Sequence, residues 1–310
     1  MEFDSRQTII IAIVVLLVGK LLRKRVPFFQ QYNIPEPVIG GIIASILTSI
    51  VYFSLDKTIS FALQQRDLLL IVFFTCVGLS AKLSMLVKGG KALLILLVIA
   101  VTFLVFQNVI GSFVASLMGL PEQVGVLGGS VALSGGHGTA IAWSPIFIEK
   151  FGIENAMEIG IACATFGLVL GGISGGPIFN YLASKHKLEP TPTEAPSVGF
   201  THEEHTKITV NTAYNVLLAV CVAIGIGLGL HEMTIELGLK LPIFVPCLFG
   251  GIILTNTVPY LWKSVPWKRG KPTLALLSDF SLGLFLAMSL MSMQLWALVD
   301  LAGPIFAILI

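Results

Sequence analysis

Charge is what this sequence has least of. Only 12% of its 310 residues are charged, against 55% hydrophobic, where a soluble domain carries roughly 25% charged residues. Mean hydropathy is +0.91. A solvated globular surface is excluded, and an integral membrane protein is implied. The formal net charge of +2 selects no partner, and nucleic acid is not expected to be one. Arg6, Arg23, Arg25, Arg66 and Arg269 all lie at or beyond the edges of the apolar stretches, so no guanidinium clamp for a carboxylate is expected inside them. Cysteine pairs are lacking too: Cys76, Cys163, Cys221 and Cys247 stand singly in apolar surroundings and read as small buried side chains. There is no H-E-x-x-H run to suggest a zinc hydrolase. Met1–Asp4 is acidic, without a basic leader or cleavage site, so the first apolar stretch is expected to be retained.

Long apolar runs, by contrast, are plentiful. Eight have workable length for a span, at approximately 8–22, 34–53, 68–86, 92–117, 156–183, 208–230, 242–262 and 276–298, and a ninth begins near 302,. The stretch 54–67 reads as an extramembrane connection or an interfacial helix. Alternate loops differ in charge. Twelve basic residues, from Arg23–Arg25 to Lys271, fall on one side, and five (Arg6, Lys57, Arg66, Lys150, Lys240) on the other. The richer side is cytoplasmic by the positive-inside rule, with the N-terminus outside. Residues 185–207, holding prolines, charges and His186, His202 and His205, form a solvated cytoplasmic linker.

The linker separates halves that echo one another. Ile34–Ile43 (IPEPVIGGII) is matched by Val245–Ile253 (VPCLFGGII), and the surroundings of Phe73 by those of Phe285, at offsets of about 210 and 212 residues. Five spans precede the linker, and five is odd, so the second half enters from the opposite side. The fold class expected is an all-α polytopic membrane protein. It is an inverted repeat of five-helix units with re-entrant glycine-rich loops, the second repeat truncated. The first repeat takes 1–184, with its re-entrant loop at 121–146, and the incomplete second takes 208–310.

One stretch fits no ordinary span. Ser134-Gly135-Gly136-His137-Gly138-Thr139 lies at the centre of a glycine-rich run from Gly125 to Ser144, where little favours helix. Unwound backbone in hydrocarbon strands its polar groups unless it lines a protein or water-filled cavity. A re-entrant element binding a small polar ligand is expected. Ser134, His137 and Thr139 supply its side-chain donors and acceptors, with Ser134 and Thr139 also possible helix caps. Thr165 is a further candidate, and so is Asn108 beside Gln107, either as an ion ligand or in an interhelical hydrogen bond. Gly171, Gly172, Gly175 and Gly176 are spaced for close helix packing, and Glu36 suits the positive end of a helix dipole.

SGGHGTAIAWSPIFIEKFG (Ser134–Gly152), ACATFGLVLGGISGGPIFNYL (Ala162–Leu182), IPEPVIGG (Ile34–Gly41), RDLLLIVFFTCVGLSA (Arg66–Ala81) and SLGLFLAM (Ser281–Met288) together resemble the bacterial sodium/glutamate symporter family. The likeness runs over the whole chain. It implies a dimeric secondary transporter of the inner membrane, not an enzyme, that carries L-glutamate by elevator-like alternating access. Na⁺ would be the coupling ion, with no cofactor and no other metal. Carried onto this chain, substrate would meet Ser134, Gly135, Gly136, His137, Gly138, Thr139 and Thr165, and Na⁺ would meet Asn108, Ser134 and Thr165. Half-helix N-termini suit carboxylates, and unwound carbonyls suit a small cation. Three readings compete: a channel with a glycine-rich filter, an intramembrane hydrolase using Ser134 and His137, and a transporter of another small carboxylate.

The repeat makes a prediction about sequence alone. The 212-residue offset carries Ser134 to about position 346, where a second glycine-rich run with polar side chains, flanked by apolar spans, is expected in the coding sequence. A stop at codon 310 in every copy, with transport intact, would refute the two-loop reading.

Overall fold

An apolar run in hydrocarbon has to close its backbone hydrogen bonds within itself, and helix is the form these runs take. The computed structural model describes residues 2–31, 34–186, 208–239, 241–261, 271–295 and 302–309. Helix α1 (Ser5–Arg25) opens on a capping box: Asp4 accepts from the Gln7 N–H at 2.8 Å, and Gln7 Oε1 accepts from the Asp4 N–H at 3.1 Å,. It closes on Arg23, Lys24 and Arg25, opposite the negative end of its dipole,. There follow α2 (Pro27–Gln31), α3 (Glu36–Leu55), α4 (Gln64–Ser80), α5 (Leu83–Leu117) and α6 (Glu122–Val126). After the π-helical turn Leu127–Ser134 come α7 (Gly136–Phe151), α8 (Ala156–His186), α9 (Val210–Glu236), α10 (Phe244–Leu261), α11 (Lys271–Met291) and α12 (Ala302–Leu309). Among the described residues five stretches, Ser5–Arg25, Glu36–Leu55, Gly89–Leu117, Val210–Glu236 and Pro272–Met291, are long and apolar enough to cross a membrane. The protein is a polytopic, mostly helical membrane protein.

The structure corrects several sequence expectations. The run 68–86 is not one span: α4 stops at Ser80, and α5 begins at Leu83 and turns at Gly90, whose φ of +51° favours glycine,. The break at Ala81–Lys82 is held by Asn256 of α10. Its Nδ2 donates to the Ala81 carbonyl at 2.9 Å, and its Oδ1 accepts from the Leu83 N–H at 3.0 Å. Nothing local in the sequence marks this break, because its partner is 175 positions away. The stretch 54–67 contains no interfacial helix. Strand β2 (Ser60–Phe61) pairs in parallel with β1 (Glu2–Phe3) instead, and Phe3 stacks on Phe61 at 5.5 Å. Cys76, Cys163 and Cys247 are buried as expected, but Cys221 is exposed. Among the described residues Gly171 and Gly175 have no atom within 4 Å of where a Cβ would stand, so the expected close helix contact is not made there. Glu36 sits in the first turn of α3, 3.7 Å from Arg23. His186 ends α8, whereas His202 and His205 lie outside the described residues.

Packing sorts the helices into two bodies, each drawing on both sides of the linker. One joins α1, α3, α4, α9, α10 and α11, and the other α5, α6, the π-helical turn, α7, α8 and α12. Helix α7 against α11 is the principal helix contact between them. The seam is apolar: Ile141 of α7 and Ile161 of α8 pack with Val38, Phe244, Phe285 and Leu286.

Within the first body the same close contacts occur twice. A Cβ on Gly40 of α3 would overlap the Val15 carbonyl of α1, and one on Gly250 of α10 would overlap the Ala223 carbonyl of α9. Gly19 and Gly227 reciprocate from α1 and α9. Gly41 then lies on Leu290 of α11, and Gly251 lies on Gly78 and the Thr75 carbonyl of α4. Backbones this close leave no space for a methyl group. Gly40→Ala and Gly250→Ala should each destabilise the protein by about 1–3 kcal/mol through overpacking, read as a lower Tm in detergent. Gly229→Ala, which meets open space, should leave Tm near the parent value. Parental Tm for Gly40→Ala would mean that α1 and α3 are not in backbone contact.

Candidate functional site

The glycine-rich stretch folds as a helical hairpin. Its first arm is α6 with the π-helical turn, its second arm is α7, and the two join at Gly135–Gly136. Val124, Leu127 and Ala132 of the first arm share one core with Ala140 and Phe147 of the second, together with Ile159, Cys163 and Ala164 of α8. The first arm is broken at Gly129 (φ −85°, ψ −115°), and Gly136 reverses the chain with φ of +74°. The conformation at Gly136 is inexpensive only for glycine. The expectation that Ser134–Thr139 is unwound throughout is therefore corrected. The irregular backbone runs from Gly129 to Gly136, whereas His137, Gly138 and Thr139 form the first turn of α7. Helix resumes there because Ala140, Ile141, Ala142 and Trp143 follow, with apolar faces to bury.

Ser134 and Thr139 are not caps, since Gly135 occupies the N-cap position with no side-chain hydrogen bond. Thr139 Oγ1 donates to the Gly135 carbonyl at 2.9 Å, and Ser134 is exposed at the tip. His137 Nε2 lies 3.0 Å from Thr165 Oγ1, which also donates to the Ile161 carbonyl at 2.9 Å. Since that hydroxyl proton serves Ile161, the His137 ring nitrogen is the donor to Thr165 in this arrangement. Among the described residues no hydrogen bond joins Ser134 to His137, so a nucleophile–base pair is not assembled. Gly138 faces the other body: a Cβ there would stand 3.7 Å from Phe285 and 3.8 Å from Phe74, which in turn packs on Phe244 at 4.3 Å.

Asn108 is placed apart from Thr165, at the break in the first arm. Its Oδ1 accepts from the Ser130 N–H at 3.2 Å, which is the interhelical bond expected as its alternative role. The structure thus divides the candidate ion ligands: Thr165 meets the tip and Asn108 the break. Sequence reasoning missed two contacts between the bodies. The Glu158 carboxylate of α8 is buried and accepts from the N–H of Gln294, just beyond α11. The Arg66 side chain, 13% exposed, reaches Met157 Sδ at 3.5 Å while pairing with Asp67 at 2.7 Å. Glu158 was visible as a lone acid in an apolar stretch, but the groups it meets are far away in sequence.

The hairpin is thus broken at glycine, with its tip at the seam between two helical bodies. A family profile for the sodium/glutamate symporter matches residues 1–310. The chain belongs to the sodium/glutamate symporter family. It is 38% identical over 319 residues to the sodium/glutamate symporters of Escherichia coli (strain K12) and Shigella flexneri, an alignment covering 100% of this chain and 77% of each relative. To that of Haemophilus influenzae (strain ATCC 51907 / DSM 11121 / KW20 / Rd) it is 38% identical over 313 residues, covering 99% of this chain and 76% of the relative. No solved structure matches it. This symporter is a transporter and not an enzyme.

In this symporter Thr165 holds the histidine at the tip. Thr165→Val keeps the volume but leaves His137 Nε2 without its partner, which should cost about 1–2 kcal/mol and lower Tm. Thr165→Ser should restore most of the loss. Equal Tm for all three proteins would show that the hydroxyl is not holding the ring.

Proposed function

We propose that this sodium/glutamate symporter works by alternating access, the hairpin-bearing body carrying L-glutamate past the other body in an elevator-like movement driven by Na⁺. The observation that carries this reading is the position of the hairpin tip. Gly138, in the turn of α7 that follows the tip, lies against Phe74 and Phe285 at the seam, where bound substrate would be enclosed between the bodies. An apolar seam with few polar ties suits sliding, because no row of hydrogen bonds has to break at once.

Ser134, Gly135, Gly136, His137, Gly138, Thr139 and Thr165 form the substrate site in this reading. The first turn of α7 offers main-chain N–H groups and the positive end of its dipole to a carboxylate. For Na⁺, drawn to oxygens, the candidate ligands in this reading are Ser134 and Thr165 at the tip or Asn108 at the break. The paired contacts of Gly40 and Gly250 support the inverted repeat, with units at 1–184 and 208–310 about the linker 185–207. An N-terminus outside is supported by the loop charges, and an inner-membrane location and a homodimer by the family resemblance. The Glu158–Gln294 and Arg66–Met157 contacts are then latches that open at one end of the movement.

The test is uptake by protein in liposomes. Glutamate should enter when Na⁺ is outside, and a proton gradient alone should not replace it. Gly136→Val imposes a β-branched side chain on a backbone of positive φ and should abolish tight binding. Thr139→Val should weaken glutamate by roughly 5- to 150-fold, the equivalent of about 1–3 kcal/mol for a buried hydroxyl. His202→Ala in the linker is the control, with uptake near normal. If both tip variants bind glutamate like the parent at equal expression, the substrate site lies elsewhere.

A further inference from the structure

Gln107, next to Asn108 on α5, has no role in the substrate site, yet its Oε1 is buried without a hydrogen-bond partner. An acceptor in that position is costly in an apolar setting unless something binds it. The side chain lies against the break in the hairpin. A Cβ on Gly129 would stand 3.3 Å from Asn108 Oδ1, 3.7 Å from Gln107 Cγ and 3.8 Å from the Gln107 carbonyl oxygen. Glycine therefore leaves a small space there, bordered by oxygens. At the same residue ψ is −115°, outside helix, so the Gly129 carbonyl is turned off the helical direction. Asn108 also lines an open, mostly apolar groove of about 420 Å³ with Val109, Ser112, Phe113, Ser116 and Glu122.

We propose that the coupling Na⁺ binds at the Gly129 break, with Gln107 Oε1 and Asn108 Oδ1 among its ligands. This rests on the reading of the chain as a Na⁺-coupled transporter, and it moves the ion from the tip to the first arm. Every side-chain oxygen facing the break is an acceptor, which selects a cation and repels a carboxylate. Na⁺ takes such neutral carbonyl-type oxygens where a helix is interrupted. The break lies on the same arm as Ser134 and Gly135, and the π-helical turn connects the two: the Gly135 N–H donates to the Ser130 carbonyl at 3.1 Å. A cation at Gly129 therefore fixes the turn that presents the tip to substrate. Binding of either ligand then favours the other, as linkage requires.

The α-ammonium group of glutamate would also suit these acceptors, so the experiment separates the two cations. Purified protein is melted over a NaCl series at constant ionic strength with KCl and no glutamate, and uptake in liposomes is measured over the same series. For Gln107→Leu the Na⁺ concentration giving half-maximal stabilisation and half-maximal uptake should rise roughly tenfold or more, with glutamate KM at saturating Na⁺ unchanged within about twofold. Gln107→Glu keeps an acceptor oxygen and adds charge, and should lower the Na⁺ requirement by at least about threefold. It also tests the proposal if Gln107→Leu fails to fold. Thr102→Ala, on an exposed position of the same helix, is the control and should behave as the parent. Parental Na⁺ dependence in both Gln107 variants overturns the site. A raised glutamate KM with unchanged Na⁺ dependence also overturns it, in favour of an ammonium subsite. A parent protein indifferent to Na⁺ in melting and uptake alike removes the Na⁺-coupled reading itself.

Discussion

A peptide group facing hydrocarbon has to find a partner, and the irregular parts of this protein follow from that constraint. Regular helix satisfies it locally, so each break needs an outside donor or acceptor. At Ala81–Lys82 the Asn256 amide supplies both. At the hairpin break Asn108 takes the Ser130 N–H, and at the tip Thr139 takes the Gly135 carbonyl. Each of these residues would be an oddity in an apolar helix if read alone. Set beside its break, each is the complement of a main-chain group.

Close packing imposes the second constraint. Lipid is as apolar as leucine, so helices in a membrane gain little from burying apolar area and depend more on approach and dispersion. The contacts of Gly19 with α3 and Gly227 with α10 bring backbones together and make one body rigid. The seam between the bodies is different in kind. It is built of Phe74, Phe244, Phe285, Ile141 and Ile161, large side chains that meet without backbone interlock. A rigid frame and a smooth seam are what a moving part requires.

Much of the fold was legible in the sequence, since helix length and apolarity are local properties. The eight apolar runs and the start at 302 all carry helices, and the glycine-rich stretch is where the chain departs from a simple span. Its internal geometry was not legible. Three glycines in four residues suggest unwinding at Gly135–Gly138, but conformation is set by which glycine needs its freedom. The departures from helix are at Gly129 and Gly136, while Gly138 is helical and faces aromatic rings across the seam. The misjudged packing glycines fail for the same reason. Spacing at Gly171 and Gly175 permits close approach, but only a partner helix makes it happen, and the partner is a long-range fact.

The two breaks on one hairpin are also what could make transport coupled. If cation and substrate met the protein at independent, already ordered places, each would bind with no knowledge of the other, and the ion gradient could do no work on the amino acid. Here the break at Gly129 and the tip at Gly136 are ends of one short irregular segment, joined through the Ser130–Gly135 hydrogen bond. Ordering that segment costs conformational entropy once, so whichever ligand arrives first lowers the cost for the second. Glycine raises the entropy of the free segment and thereby enlarges the possible coupling. In the proposed mechanism the glycines do more than permit an unusual backbone, because the conformational freedom they give the free segment is what links the ion to its passenger.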